Sequence, residues 1–150
     1  PYMLYLTAYF ILLHGECEGV NDLNVGTASL GRRLPDGEKL IGNFVNMLVM
    51  RARLEDNPRF ANLLAQVRLT CLGGFAHSDL PFELLVREIQ QGKEGGTTPF
   101  FQASFGTQNI PKLDVELPEL KVSHFEIDNG MTRFDLSLWI SETDTGHRAY

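Results

Sequence analysis

Most of the features that assign a function quickly are scarce in this chain. Only two cysteines occur, Cys17 and Cys71, and neither stands in a CxxC or CxxCH context. That excludes a disulfide framework and a thiol metal cluster, and it suits a reducing compartment such as the cytoplasm. Basic residues are in the minority: 13 Lys and Arg against 19 Asp and Glu give a formal net charge of -6. A nucleic-acid binder needs a basic footprint, so nucleic acid is not an expected partner. No block of like charge suggests a membrane-surface patch. Long hydrophobic runs are also missing. Tyr2 to Leu13 is apolar but too short to span a bilayer, and it lacks the charged flank of a signal peptide. There is no P-loop, no GxGxxG after a strand, no HExxH and no GxSxG elbow. No internal repeat or low-complexity segment occurs.

What is present fits one core of common domain size: 150 residues, 43% of them hydrophobic and 21% charged. The chain opens on Pro1 inside an apolar run and stops at Tyr150 without a polar tail, which reads as a piece of something longer. Its organising stretch is Ile41 to Arg51 (IGNFVNMLVMR). As a strand it puts Phe44, Asn46, Leu48 and Met50 on one face and Val45, Met47, Val49 and Arg51 on the other. Apolar residues on both faces predict an inner strand covered on both sides. Asn46 is the odd residue. A buried amide must be hydrogen-bonded. It therefore either ties down a neighbouring loop or faces a wet cavity.

The rest of the chain follows in order. Tyr2 to His14, apolar nearly all round, predicts a buried helix ended by Gly15 and Gly19. Asp22 to Ser29 reads as a short strand, and Pro35-Asp36-Gly37 as a turn. Asn57-Pro58 starts a helix, capped by Asn57 or Asp56, with Phe60, Leu63, Leu64, Val67 and Cys71 on one face and an end near Gly73-Gly74. Asp79 is placed to cap a further helix whose stripe is Phe82, Leu85, Val86 and Ile89. Gln91 to Thr98 is a Gly-rich hinge. Phe100 to Gln108 predicts a strand with Phe101, Ala103 and Phe105 on one face. Asn109 to Glu119 is an extended loop and Leu120 to Ile127 a strand. Arg133 to Ser141 alternates cleanly, with Trp139 on the outward face and in need of cover.

Candidate chemistry is sparse. The histidines are His14, His77, His124 and His147, none adjacent to another. His77 beside Asp79 could form a base and its orienting carboxylate. The plainer reading makes Asp79 a cap and His77 a loop brace.

Three stretches in order carry a resemblance: Ile41 to Arg51, His77 to Glu83 (HSDLPFE) and Pro99 to Asn109 (PFFQASFGTQN). They resemble three successive motifs of the condensation domains of nonribosomal peptide synthetases. Asp22 to Arg32 (DLNVGTASLGR) and Phe134-Asp135-Leu136 resemble the strands before and after. The resemblance implies an α/β (α+β sandwich) fold of the chloramphenicol-acetyltransferase-like superfamily, with two lobes in a V and a tunnel between them. The chain resembles most of the C-terminal lobe, with a mixed sheet flanked by helices. The family's HHxxxDG motif belongs to the N-terminal lobe and is absent here.

The resemblance further implies amide-bond formation between a thioester and an amine on two carrier proteins. It implies phosphopantetheine arms on those carriers, no directly bound cofactor and no metal. This lobe would supply a tunnel wall, part of the carrier-docking surface and segments crossing to the missing N-terminal lobe. It would not supply the catalytic histidine, so the fragment alone is expected to be inactive. Asn46 is then the first candidate to face the tunnel, with Thr27 and Ser29 after it. His77, Asp79, Pro81 and Glu83 match their motif and read as architectural. Gln108 and Asn109 match the end of the third motif. The chain departs from the family at Gln91 to Gly96, where an Arg-Asp pair is usual. It departs also at Ser78, usually Gln, and at Gly15-Glu16-Cys17. These departures bear on carrier docking and loop order rather than on the fold. Epimerisation or heterocyclisation relatives, and a non-catalytic platform for carrier proteins, are the alternative readings.

Overall fold

The computed structural model describes residues 1–32, 36, 39–89, 100–108, 120, 122, 130–143 and 146–150. The Gly-rich hinge at 91–98 and the extended loop at 109–119 lie outside them. So does the predicted strand at 120–127, save residues 120 and 122. The elements run α1 (Tyr2–Glu16), β1 (Asp22–Ser29), β2 (Asn46–Arg53), α2 (Phe60–Ala76) and α3 (Phe82–Ile89). β3 (Ala103–Gln108), β4 (Leu136–Thr143) and β5 (Gly146–Ala149) follow. Among the described residues the five strands form one mixed sheet in the order β2-β1-β3-β4-β5. β1, β3 and β4 are parallel; β2 and β5 run antiparallel to their neighbours. This is the α/β architecture the sequence predicts.

α1 and α2 cover one face of the sheet. The core between them joins Leu6, Tyr9, Phe10 and Leu13 of α1 with Leu63, Val67 and Cys71 of α2. From the sheet it takes Val25, Leu48, Met50, Phe105 and Ile140. Each large apolar side chain so buried contributes roughly 1.5–3 kcal/mol. α1 runs through Gly15, and the chain turns only at Glu18 and Gly19, both at positive φ. His14 Nδ1 donates to the Val20 carbonyl (3.0 Å) and holds this turn.

Several boundaries differ from the sequence reading. β2 begins at Asn46, not Ile41, because Asn43 Oδ1 accepts the Val45 N–H (3.1 Å) and closes a side-chain turn that ends the extended run. Among the described residues β2 is also an edge strand rather than an inner one. Its outer backbone is nevertheless partly satisfied. Gln66 of α2 accepts from the Arg53 N–H and donates to the Arg53 carbonyl, and Thr70 donates to the Arg51 carbonyl. α2 begins at Phe60 with no side-chain cap, since Asp56 and Asn57 turn the chain at positive φ, and it continues past Gly73 and Gly74 to Ala76. β3 starts at Ala103. Phe100 lies at φ 75, so Phe101 leaves the Ala103–Phe105 face.

The second face is shaped by two glycines. A Cβ on Gly26 would stand 2.1 Å from the Phe101 ring, and one on Gly106 would stand 2.3 Å from the Trp139 ring. Gly106 faces Trp139 directly in the β3–β4 register, so the indole is covered by lying across the adjacent strand. Phe101 packs against Phe82 and Phe134, and Ser104 donates to Ser137 across the strands (2.8 Å).

Candidate functional site

The parallel strands β1, β3 and β4 end at Ser29, Gln108 and Thr143. In open α/β sheets, ligands bind outside such carboxyl ends. Asn46 lies there because β2 starts opposite the end of β1, with Ser29 its register partner. Its carboxamide is fully engaged. Nδ2 donates to the carbonyls of Ser78 (2.9 Å) and Leu80 (2.6 Å), and Oδ1 accepts from the Phe82 N–H (3.0 Å). Asn46 therefore clamps the α2–α3 loop and takes the first N–H of α3. Asp79 does not cap α3 as the sequence suggested: its carboxylate makes no hydrogen bond among the described residues, and Asn46 does that work from another element.

Thr27 is 3% exposed, under α1, and accepts a hydrogen bond from the Tyr2 hydroxyl (2.9 Å). Burial pushes the Tyr2 hydroxyl up to about 12, so it stays a donor at neutral pH. Ser29 is half-buried. His77 donates from Nδ1 to the Gly73 carbonyl (2.9 Å) at the end of α2, a brace with no carboxylate partner among the described residues. Gln108 accepts from the Tyr150 hydroxyl. By strand alternation from the Val25–Ala103 pair, Gln108 points to the sheet face opposite Thr27, Ser29 and Asn46. Asn109 lies outside the described residues. The candidates thus gather at one end of the sheet but divide between its two faces.

Among the described residues no side chain is set up as a nucleophile. Cys71 is buried, and burial pushes its thiol up to about 11. No group of three or more His, Cys, Asp or Glu side chains could hold a metal among the described residues. None of their helices is long and apolar enough to cross a membrane.

Beside the Asn46 clamp lies a groove of about 310 Å³, between the α2–α3 loop and the segment before β2. Asn43, Phe44, Ser78, Asp79, Pro81 and Glu83 line it. The sequence reading missed this wall because it placed Asn43 and Phe44 in the strand. The Gly42-Asn43 pair, a turn-forming dipeptide, was the available signal. Ser78 is 3% exposed and its hydroxyl finds no partner among the described residues.

The sheet is mixed, α1 and α2 cover one of its faces, and the candidate polar groups stand at its strand ends. This arrangement is the chloramphenicol-acetyltransferase-like fold of solved condensation domains. The condensation domain of the Monacolin K polyketide synthase MokA has TM-score 0.72 and 24% identity over 99% of this chain and 34% of its own. The X-domain in complex with OxyB from teicoplanin biosynthesis gives TM-score 0.76 and 25% identity over 99% of this chain and 32% of its own. The chain belongs to the condensation-domain family, whose model matches residues 1–148. A linear gramicidin synthase of Brevibacillus parabrevis is 40% identical over 147 residues, 97% of this chain and 3% of that protein. Malpinin synthetase of Mortierella alpina is 38% identical over 145 residues, 97% of this chain and 2% of that protein. The chain therefore spans a small part of the curated relatives it matches.

Proposed function

We propose that this chain forms the C-terminal-lobe wall of a nonribosomal peptide synthetase condensation domain, which joins a carrier-bound acyl thioester to a carrier-bound amine. The observation that carries this reading is the family match over residues 1–148 in a chain without two adjacent histidines. In the reaction the amine nitrogen attacks the thioester carbonyl carbon. A C–N bond forms, the C–S bond breaks, and the donor arm leaves as its thiol, taking up the proton that the amine gives up. The histidine that assists this transfer belongs to an N-terminal lobe bearing HHxxxDG. The chain's own part is positional: Asn46 holds the α2–α3 loop, and half-buried Ser29, its register partner, stands at the strand end where the tunnel would pass. The phosphopantetheine arms arrive with the carriers as part of the substrates.

The test joins the chain, within its complete domain, to carriers loaded with acyl and aminoacyl groups and reads amide product by mass spectrometry. Product that disappears when the HHxxxDG histidines are replaced supports the reading. A folded domain with intact HHxxxDG and no product against a broad set of loaded carriers overturns it.

One observation favours a second reading, a non-catalytic docking platform. The X-domain, among the structural neighbours at 25% identity, is found in complex with OxyB. The same assay separates the two: a platform retains carrier or partner binding and gives no product.

A further inference from the structure

Arg32 lies just beyond Ser29, the last residue of β1. Its guanidinium reaches across the β1–β2 connection. Nη1 donates to the Leu40 carbonyl (2.7 Å) and Nη2 to the Gly42 carbonyl (3.3 Å). The same group lies over the Phe44 ring, 4.7 Å from its centroid. A planar fork makes all three contacts at once, which the point charge of a lysine does not. Gly31 completes the closure. It lies at φ 65, and a Cβ there would stand 2.1 Å from the Phe44 carbonyl oxygen. The backbone at residue 44 comes this close only because residue 31 is glycine.

Asn43 then turns the run through its bond from the Val45 N–H, and β2 begins at Asn46, opposite Ser29. Arg32 therefore rivets residues 40–44 to the end of β1. The rivet lies outside the core. Leu40, Ile41, Phe44 and Val45 are all exposed, Ile41 fully, and neither Arg32 nor Phe44 belongs to the buried cluster between sheet and helices. Water competes for each of these exposed bonds, so they add little to global stability. Their effect is to give an exposed run one conformation. That run stands at the carboxyl end of β1, the end of an open α/β sheet where ligands bind.

We propose that Arg32 is a positioning residue for the carrier-bound arm: acting through residues 40–44, it fixes the wall beside Ser29 past which the arm moves. This rests on the reading that loaded carriers are the substrates. Arg32 does not meet the reacting atoms, so its loss acts on KM for loaded carriers and leaves kcat nearly unchanged.

The experiment uses the complete condensation-domain protein that contains this chain, with both carriers loaded. Arg32→Lys keeps the charge and loses the fork; Arg32→Gln loses both. Each should raise KM by about tenfold, with kcat within about twofold of the parent and a nearly unchanged urea midpoint. Gly31→Ala, which displaces the Phe44 carbonyl while Arg32 stays, should move KM the same way. Carrier binding is read in parallel by fluorescence anisotropy, with carriers that bear the arm and with apo carriers that lack it. The Arg32 variants should bind the arm-bearing carrier about tenfold more weakly and the apo carrier as the parent does. If the parent makes no amide, the amide-forming reading fails and the anisotropy alone decides for Arg32. Folded Arg32 variants with the parent's KM and arm-bearing affinity overturn the proposal. So does equal weakening of arm-bearing and apo carriers, which makes Arg32 part of a docking surface, or a fall in the urea midpoint large enough to account for the loss.

Discussion

Asn46→Ala tests the local architecture most sharply. The substitution removes two donors and one acceptor, leaving the Ser78 and Leu80 carbonyls and the Phe82 N–H without their partner. A net hydrogen bond is worth about 1 kcal/mol, and water reaches part of this site, so the expected loss is about 2 kcal/mol rather than three full bonds. Asn46→Asp discriminates further. It keeps the acceptor for Phe82 and adds a charge favoured at a helix start by at most about 1 kcal/mol. It also sets a carboxylate oxygen against two carbonyl oxygens, where the amide nitrogen now sits 2.6 and 2.9 Å away. Asp should therefore cost at least as much as Ala. Urea unfolding of the complete domain measures both. Hydrogen exchange at the Phe82 amide should accelerate about thirtyfold in the Ala variant if α3 opens locally. An Ala variant within about 0.5 kcal/mol of the parent, or an Asp variant as stable as the parent, refutes the clamp. Native stability and exchange with lost product formation would instead make Asn46 a substrate contact.

The packing and ionisation of other residues give three further outcomes. Gly106→Ala should destabilise the fold by about 1–3 kcal/mol in urea, because its Cβ would stand 2.3 Å from the Trp139 ring and the indole must move. Cys71, pushed up to about 11 by burial, should resist alkylation at pH 8 under native conditions and react at the same rate as exposed Cys17 once the protein is unfolded; fast native labelling of both would contradict the packing. Asp22 has its carboxyl held below the ordinary 3.8, first by its hydrogen bond from Arg51. A depressed folded value means stability that is present above the unfolded value and lost as pH falls through the folded one. Asp22→Asn should therefore flatten the loss of stability below about pH 4, by a small amount because the pair is exposed. An acid unfolding profile identical to the parent's would count against it.

Much of the fold was legible because periodicity is a local property. β1 came out at its observed bounds, Asp22–Ser29, whereas α1, apolar nearly all round, is buried along Leu6, Tyr9, Phe10 and Leu13 only and leaves Leu4, Ile11 and Leu12 exposed. Two of the misreadings share one cause, the deciding contact lying far away in sequence. Two-sided apolar patterning made β2 look like an inner strand. Among the described residues it is an edge whose outer backbone is met by Gln66 and Thr70, 13 and 19 residues on. Asp79 looked like a cap because caps are normally local, whereas the group that caps α3 is Asn46, 36 residues before Phe82. Of the candidate site, the oddness of Asn46 was visible in sequence and its partners were not. The split of Asn46 and Gln108 between sheet faces needed the register.

That split constrains how the strand ends can serve a reaction. Asn46, Ser29 and Thr27 share the face that α1 and α2 cover, and there Thr27 is already bonded to Tyr2 and Asn46 to the α2–α3 loop. Gln108 belongs to the other face, with Trp139, Phe101 and the Ser104–Ser137 pair. A substrate arm passing the carboxyl ends of the strands cannot lie flat along one face and meet both sets. On the proposed function, an arm that met both sets would cross the rim of the sheet between Ser29 and Gln108, the ends of β1 and its neighbour β3. Enlarging Ser29, at that rim and only half-buried, should obstruct such a path while leaving the core intact. Ser29→Trp in the complete domain is therefore expected to raise KM for loaded carriers with little change in the urea midpoint. Unchanged kinetics in a folded variant would place the path elsewhere.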